Sequence, residues 1–216
     1  MIKPYYQDDY STIYHGDCRE ILPQLQPVDL VLTDPPYGIG ENSKKQKSRE
    51  KKAKPTDYGD FDWDRQPPKK WVLEMMMDYS DKQIIFGGNF FGLPAATCFL
   101  VWDKDNSGDF ADCELAWTNL PGAVRIFKWR WNGMIQEKGG VHKEQRVHPT
   151  QKPVSLMQWC IEKAGEPQTI LDPFMGSGTT LIAAKNLRLK AIGIELEEKY
   201  CEIAAKRLSQ EVLPFG

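Results

Sequence analysis

The sequence has no apolar run approaching the roughly 20 residues of a membrane-spanning helix. Its opening residues, MIKPYYQDDY, hold no signal-peptide core, so a cytoplasmic chain is the expectation. The five cysteines (Cys18, Cys98, Cys113, Cys160 and Cys201) are odd in number and form no C-x-x-C pair. That argues against a disulfide framework and a zinc site and fits reduced thiols. Three histidines, His15, His142 and His148, make no metal-spaced cluster, so no metal is expected. No G-x-x-x-x-G-K-[ST] loop occurs, which excludes a P-loop. The net charge of −2 excludes a uniformly basic surface.

The distribution of charge says more than the sum. KKQKSREKKAK, residues 44–54, carries seven basic residues and one acidic one, without apolar periodicity. Lys44, Lys45, Lys47, Arg49, Lys51 and Lys52 therefore read as a solvated, mobile loop at about 41–60 that can attract a polyanion. The 216 residues suffice for one domain with a sizeable core. Strand and helix patterns alternate: strands at 12–15, 28–33, 83–86, 97–102, 169–171 and 190–194, helices at 19–25, 69–77, 154–164, 179–187 and 197–210. Trp71, Val72, Met75 and Met76 form the expected apolar face of the 69–77 helix. This alternation predicts an α/β fold with a mostly parallel sheet covered by helices on both faces. Residues 103–147 lack clean periodicity.

Two corners interrupt the pattern. TDPPYG, residues 33–38, ends an apolar strand with a carboxylate, two prolines, a ring and a glycine. The prolines fix φ and remove donors, giving a stiff turn that presents Asp34, free carbonyls and Tyr37. TILDPFMGSGTT, residues 169–180, is a strand, a Gly-x-Gly turn and a helix start. Gly176 and Gly178 permit close backbone approach to a ligand, and the following helix offers unpaired N–H groups. The next strand ends in Glu195, 17 residues after Gly178, where an acid can hold both ribose hydroxyls. Glycine turn and acid together suggest an adenosine ligand without a pyrophosphate.

These residues carry a family resemblance. DPFMGSG resembles the cofactor signature of S-adenosylmethionine-dependent amino-methyltransferases of DNA, and DPPYG resembles their catalytic signature. HPTQKP (148–153) is similar to the segment that precedes the cofactor strand in the permuted beta class, whose catalytic signature comes first. The resemblance implies a Rossmann-like methyltransferase fold in permuted order, as a single catalytic domain with a small target-recognition insertion at about 103–147. It implies that Asp34, Pro35, Pro36 and Tyr37 form the catalytic corner. Asp34 and the Pro35 carbonyl would accept hydrogen bonds from a target amino group, and Tyr37 would stack on a flipped base. Asp172, Phe174, Gly176, Ser177, Gly178 and Thr179 would line the methionine side of S-adenosylmethionine, with Glu195 on the ribose. Asp17 and Cys18 would lie near the cofactor adenine, and Asp34 is also counted among the cofactor contacts; Thr150, Gln151 and Lys152 would close the pocket around the methionine moiety. Asp17 also reads as a helix N-cap, and Phe174 as core.

Double-stranded DNA is the implied partner, with S-adenosylhomocysteine as product. Trp117, Trp129 and Trp131 lie in the variable segment with Lys128 and Arg130, which could reach a guanine edge or a phosphate. Alternatively, Trp129 and Trp131 pack one face of a hairpin. The shortness of this segment favours a brief target sequence or a homodimer. An Asp at the first position of the corner leans toward adenine N6, with cytosine N4 as the alternative. C5-cytosine chemistry needs a Pro-Cys nucleophile, which is absent. RNA methylation and a catalytically inactive nucleic-acid-binding fold remain the other readings. A cognate restriction endonuclease is not legible in this chain.

Overall fold

The computed structural model describes residues 2–38, 66–106, 111–132, 135–136, 144, 146–148 and 150–210. The strands, in chain order, are β1 (Tyr6–Gln7), β2 (Ser11–His15), β3 (Leu30–Thr33), β4 (Lys82–Phe86), β5 (Phe99–Asp103), β6 (Cys113–Thr118), β7 (Arg125–Lys128), β8 (Trp131–Asn132), β9 (Ile135–Gln136), β10 (Thr169–Asp172) and β11 (Lys190–Glu195). The helices are α1 (Cys18–Ile21), α2 (Lys70–Met77), α3 (Val154–Lys163), α4 (Thr179–Asn186) and α5 (Glu198–Ser209). A nine-stranded sheet has the order β1-β2-β11-β10-β3-β4-β6-β5-β7, and β8 pairs with β9 separately.

The five strands from β2 to β4 in that order run parallel, as the alternating pattern predicts. Their residues are buried on both faces, the usual condition of a parallel sheet. Leu30, Leu32, Ile84, Phe86 and Ile170 pack with α3, α4 and α5. Val31, Ile85 and Leu171, which alternate with them, pack with α1 and α2 on the other face. From β10 the chain steps to β11 on one side, and from β3 to β4 on the other. The strand order thus reverses between β10 and β3, where a crevice opens at the carboxyl ends of the strands. Ile170 pairs with Leu30 and Leu171 with Val31, so the two sequence corners emerge side by side. Among the described residues no helix is long and apolar enough to cross a membrane.

Several expected boundaries shift for identifiable reasons. The 19–25 helix is shorter: α1 ends at Ile21, and Pro23 sits in a 3₁₀ turn over Leu22–Gln24. β3 starts two residues later than expected. Asp29 instead turns its carboxylate to the backbone N–H groups of Gln168 (2.8 Å) and Thr169 (2.9 Å), stapling the start of β10. The apolar face of α2 is rotated relative to expectation. Val72, Leu73 and Met76 are buried, whereas Trp71 is 48% exposed.

Residues 103–147 divide. β6 and β7 belong to the main sheet, with β6 antiparallel between β4 and β5 and β7 at the edge. Trp117 is core and its indole N–H donates to the Pro94 carbonyl. Trp131 is buried, and Trp129 stacks on Phe127 with ring centroids 5.7 Å apart, so these tryptophans pack. The expected insertion therefore supplies part of the scaffold.

Gly178 caps α4 at φ +80°. A Cβ built there would stand 2.8 Å from the Ala204 Cβ of α5. Gly178→Ala thus combines a left-handed backbone with a helix–helix clash, and about 1–3 kcal/mol of destabilisation is expected. Urea unfolding should show it as a lower midpoint.

Candidate active site

A cavity of about 370 Å³ occupies the crevice, within the size range of small-molecule sites. Asp17, Cys18, Asp34, Thr150, Gln151 and Lys152 line it, and so do Asp172, Phe174, Gly176, Ser177, Thr179 and Glu195. The two distant signatures and HPTQKP therefore meet in one place. Gly178 is not among the residues that line the cavity, and a Cβ there would meet Ala204, so its lack of a side chain serves helix packing. Pro36 also lines the cavity, whereas Pro35 and Tyr37 do not.

The cofactor half is built from backbone and acids. Glu195, at the end of β11, accepts the N–H of Gly176 (3.0 Å) with one oxygen and that of Glu197 (2.8 Å) with the other. Each oxygen keeps a lone pair for a ligand hydroxyl. Burial raises this carboxyl to about 7 despite the two N–H donors. Asp17 caps α1 by accepting the Arg19 N–H at 2.9 Å and is ion-paired with the Arg19 guanidinium. It is both N-cap and cavity wall. Cys18 and Phe174 line the cavity while packing on the α1–α2 face of the sheet, so core and cavity roles coincide.

Asp172 lines the cavity and also holds the scaffold together. Its carboxylate accepts hydroxyl hydrogen bonds from Thr33 (2.7 Å) and Thr180 (2.6 Å), and the Phe174 N–H at 3.2 Å. It straps β10 to β3 and to α4, while burial pushes it up to about 6. Ser177 is similarly engaged. Its carbonyl and hydroxyl accept from Arg207 of α5 at 2.6 and 3.1 Å. Neither the strap nor the arginine carries a local sequence signal, since Thr33 and Arg207 lie in other elements.

The catalytic corner is held more tightly than a turn alone would be. The Tyr37 hydroxyl donates to Asp34 Oδ1 at 2.6 Å. The Lys152 ammonium pairs with Asp34 Oδ2 and, at 3.1 Å, with Glu114 Oε2. Lys104 pairs with the other Glu114 oxygen. Burial pushes the Asp34 carboxyl up from its ordinary value, while Lys152 pulls it down. Burial opposes charge on Lys152, yet Asp34 and Glu114 raise it above the ordinary lysine range. Sequence reasoning missed Glu114, whose position in β6 has no motif around it. The Tyr37 ring lies parallel to Phe90 at 4.9 Å and against Gly87, where a Cβ would come within 2.1 Å of the ring. Phe90 itself is 46% exposed.

The nucleic-acid candidates divide in two. Lys44, Lys45, Lys47, Arg49, Lys51 and Lys52 lie outside the described residues. Lys128 and Arg130 are exposed, and both pair with Asp105, Lys128 at 2.9 Å. His148, absent from the expected contacts, lines the cavity with its ring edge-on to Tyr200 at 4.4 Å. Its Nδ1 accepts the Thr150 N–H at 3.3 Å.

Comparison with known proteins fits this geometry. The profile of a family described as DNA methylase matches residues 43–206. The chain is 27% identical to the Type II methyltransferase M2.DpnII of Streptococcus pneumoniae, over 98% of this chain and 94% of that protein. It is 27% identical to the Type II methyltransferase M.HinfI of Haemophilus influenzae, over 99% of this chain and 72% of that protein. Among solved structures, the M1.HpyAVI–SAM complex is 28% identical with a TM-score of 0.57, covering 91% of this chain and 99% of that one. The cytosine-N4-specific PvuII DNA methyltransferase shares the fold at 17% identity and a TM-score of 0.62, covering 98% of this chain and 91% of that one.

Burial, aided by Lys152, Arg146 and Lys199, lowers the His148 imidazole to about 3 from its ordinary 6.5. The unfolded chain therefore takes up a proton near pH 6.5 that the folded chain refuses. Stability contributed by the neutral ring is complete above pH 6.5 and is lost as the pH falls toward 3. The loss is at most about 1.4 kcal/mol per pH unit. The stability difference between wild type and His148→Gln, from urea unfolding at each pH, should shift against the wild type between pH 7 and pH 5. A pH-independent difference would contradict the buried neutral ring.

Proposed function

The chain belongs to the DNA methylase family, and on that basis we propose that it transfers a methyl group from S-adenosylmethionine to the exocyclic N6 of adenine in double-stranded DNA. The observation that carries this reading is the Asp34 carboxylate, fixed by Tyr37 and Lys152 in the wall of the cavity that also holds Gly176 and Glu195. The donor set suits the cofactor: Asp17, Asp34 and Glu195, the Gly176 turn and the polar Thr150–Gln151 segment all line the cavity. When bound, S-adenosylmethionine supplies an electrophilic methyl group on a sulfonium. Glu195 would hold the ribose hydroxyls and Asp17 the adenine amino group. Thr150, Gln151, Phe174 and Gly176 would surround the methionine end.

The amino nitrogen of a base is a weak nucleophile because its lone pair is delocalised into the ring. Two fixed acceptors, the Asp34 carboxylate and the Pro35 carbonyl, would draw it toward tetrahedral geometry and face the positive charge it develops. Preorganised acceptors act this way without reorganising in the transition state. The target base would leave the stack to reach them, with Tyr37 beside it. The same acceptors suit either amino group, so adenine is favoured over cytosine N4 by the resemblance of the Asp-first corner and not by the chemistry. The intact corner and glycine turn support activity over an inactive binding fold. A second copy of the chain would extend the DNA surface, and a cytoplasmic location follows from this substrate.

Asp34→Asn should slow single-turnover methylation on the order of 10²–10³-fold, as removal of a preorganised partner does elsewhere. Affinity for the cofactor should stay within a few-fold. Mass analysis of digested nucleosides should show the label in N6-methyldeoxyadenosine. Label confined to deoxycytidine would transfer the reading to N4.

The basic segment would neutralise phosphate. Replacing Lys44, Lys45, Lys47, Arg49, Lys51 and Lys52 with Gln should weaken binding to all DNA sequences alike. The log–log salt slope should flatten by about 0.9 for every phosphate that is no longer neutralised. An unchanged slope would remove the segment from the interface.

A further inference from the structure

Asp34 stands at the end of a chain of four charges that alternate in sign: Lys104, Glu114, Lys152 and Asp34. They come from the residue after β5, from β6, from the segment before α3 and from the corner after β3. The Lys152 side chain is only 6% exposed and also lies over the Phe86 and Tyr37 rings, at 5.2 and 5.7 Å. Its ammonium pairs with two carboxylates, those of Asp34 and Glu114.

An ammonium directly on Asp34 fixes that carboxylate, but it also cancels much of its negative field. A transition state that places positive charge on the target nitrogen needs that field. Glu114 answers the conflict, since it pairs with the same ammonium at 3.1 Å. Asp34, Lys152 and Glu114 together carry one net negative charge, with Lys104 beyond Glu114 at the far end. We propose that Glu114 is a positioning residue for methyl transfer: it anchors Lys152 and offsets its charge, so that Asp34 is fixed in place while remaining electrostatically negative toward the target amino group. The proposal rests on the reading of Asp34 given above. The groups that act on Asp34 are Lys152 from the segment before α3, Tyr37 from the corner, Glu114 from β6 and Asp172 from β10. Lys152 and the Tyr37 hydroxyl favour its ionised form, and the two carboxylates disfavour it.

The test uses the full chain, a duplex substrate and single-turnover methylation from pH 5.5 to 9, with cofactor affinity measured by calorimetry. Glu114→Gln should slow transfer about tenfold at pH 8 and leave cofactor affinity within threefold. Lys152→Met should place Asp34 beside an unshielded Glu114 and raise the acid limb of the rate profile by at least one pH unit, with activity regained at high pH. Adding Glu114→Gln to Lys152→Met should bring that limb back down by at least half a unit. A purely structural Glu114 would lower the rate equally at every pH and would not move the limb. A wild-type rate in Glu114→Gln overturns the proposal. So does a double-variant limb that coincides with that of Lys152→Met. If Lys152→Met does not fold, the Glu114→Gln rate and affinity decide alone. Failure of the functional reading itself would appear differently, as no methyl transfer by the unmodified chain.

Discussion

A buried ammonium is tolerable only where carboxylates meet it with good geometry, and a buried carboxylate only where a cation or several donors do. The pair between Lys152 and Asp34 meets both conditions at once, and the arrangement of the crevice follows from it. Asp34 follows β3, Lys152 precedes α3, and Glu114 holds the ammonium from β6. Two ion pairs that share one ammonium therefore join the corner, the segment before α3 and the antiparallel end of the sheet. Removing one member would strand the others in a poorly solvated place, typically at a cost of about 3–5 kcal/mol.

A second strap, a carboxylate held by hydroxyls, joins β10 to β3 and α4. The Thr33 and Thr180 hydroxyls both donate to Asp172, so the strand before the corner and the helix after the glycine turn share one carboxylate. This explains why an acid buried among apolar strands is retained there. It also separates scaffold from ligand wall. Gly178 serves the packing of α4 on α5, Ser177 is held by Arg207, and Gly176 and Glu195 are left facing the cavity. The turn is thus fixed from behind, by α5, before any ligand meets it from the front.

The two halves of the site differ in how far they are assembled. On the cofactor side, the acceptors of Glu195 are already oriented by backbone N–H groups. Among the residues proposed for the nucleic acid, the Tyr37 ring is stacked on Phe90, and Lys128 and Arg130 are paired with Asp105. A base or phosphate bound there would have to displace or extend those interactions.

Apolar periodicity and Gly/Pro punctuation are local signals, and they were enough for the strands of the parallel sheet, the helices between them and the two corners. The motif order was also enough to assign both corners to one site, with HPTQKP beside them. Local signals stop at pairing. β6 escaped the reading because its neighbours in the sheet, not its own alternation, make it a strand. The α2 face was read one residue out of phase, since Trp71 is apolar but finds no core to enter. It took the folded chain to show that Gly178 faces a helix, that Asp172 is a strap, and that Lys152 lies between Asp34 and Glu114. Each of these depends on a partner at least 26 residues away along the chain: Ala204 for Gly178, Thr33 for Asp172, and Asp34 and Glu114 for Lys152. A charge or hydroxyl carries no mark of its partner in its own neighbourhood, and only tertiary folding pairs them.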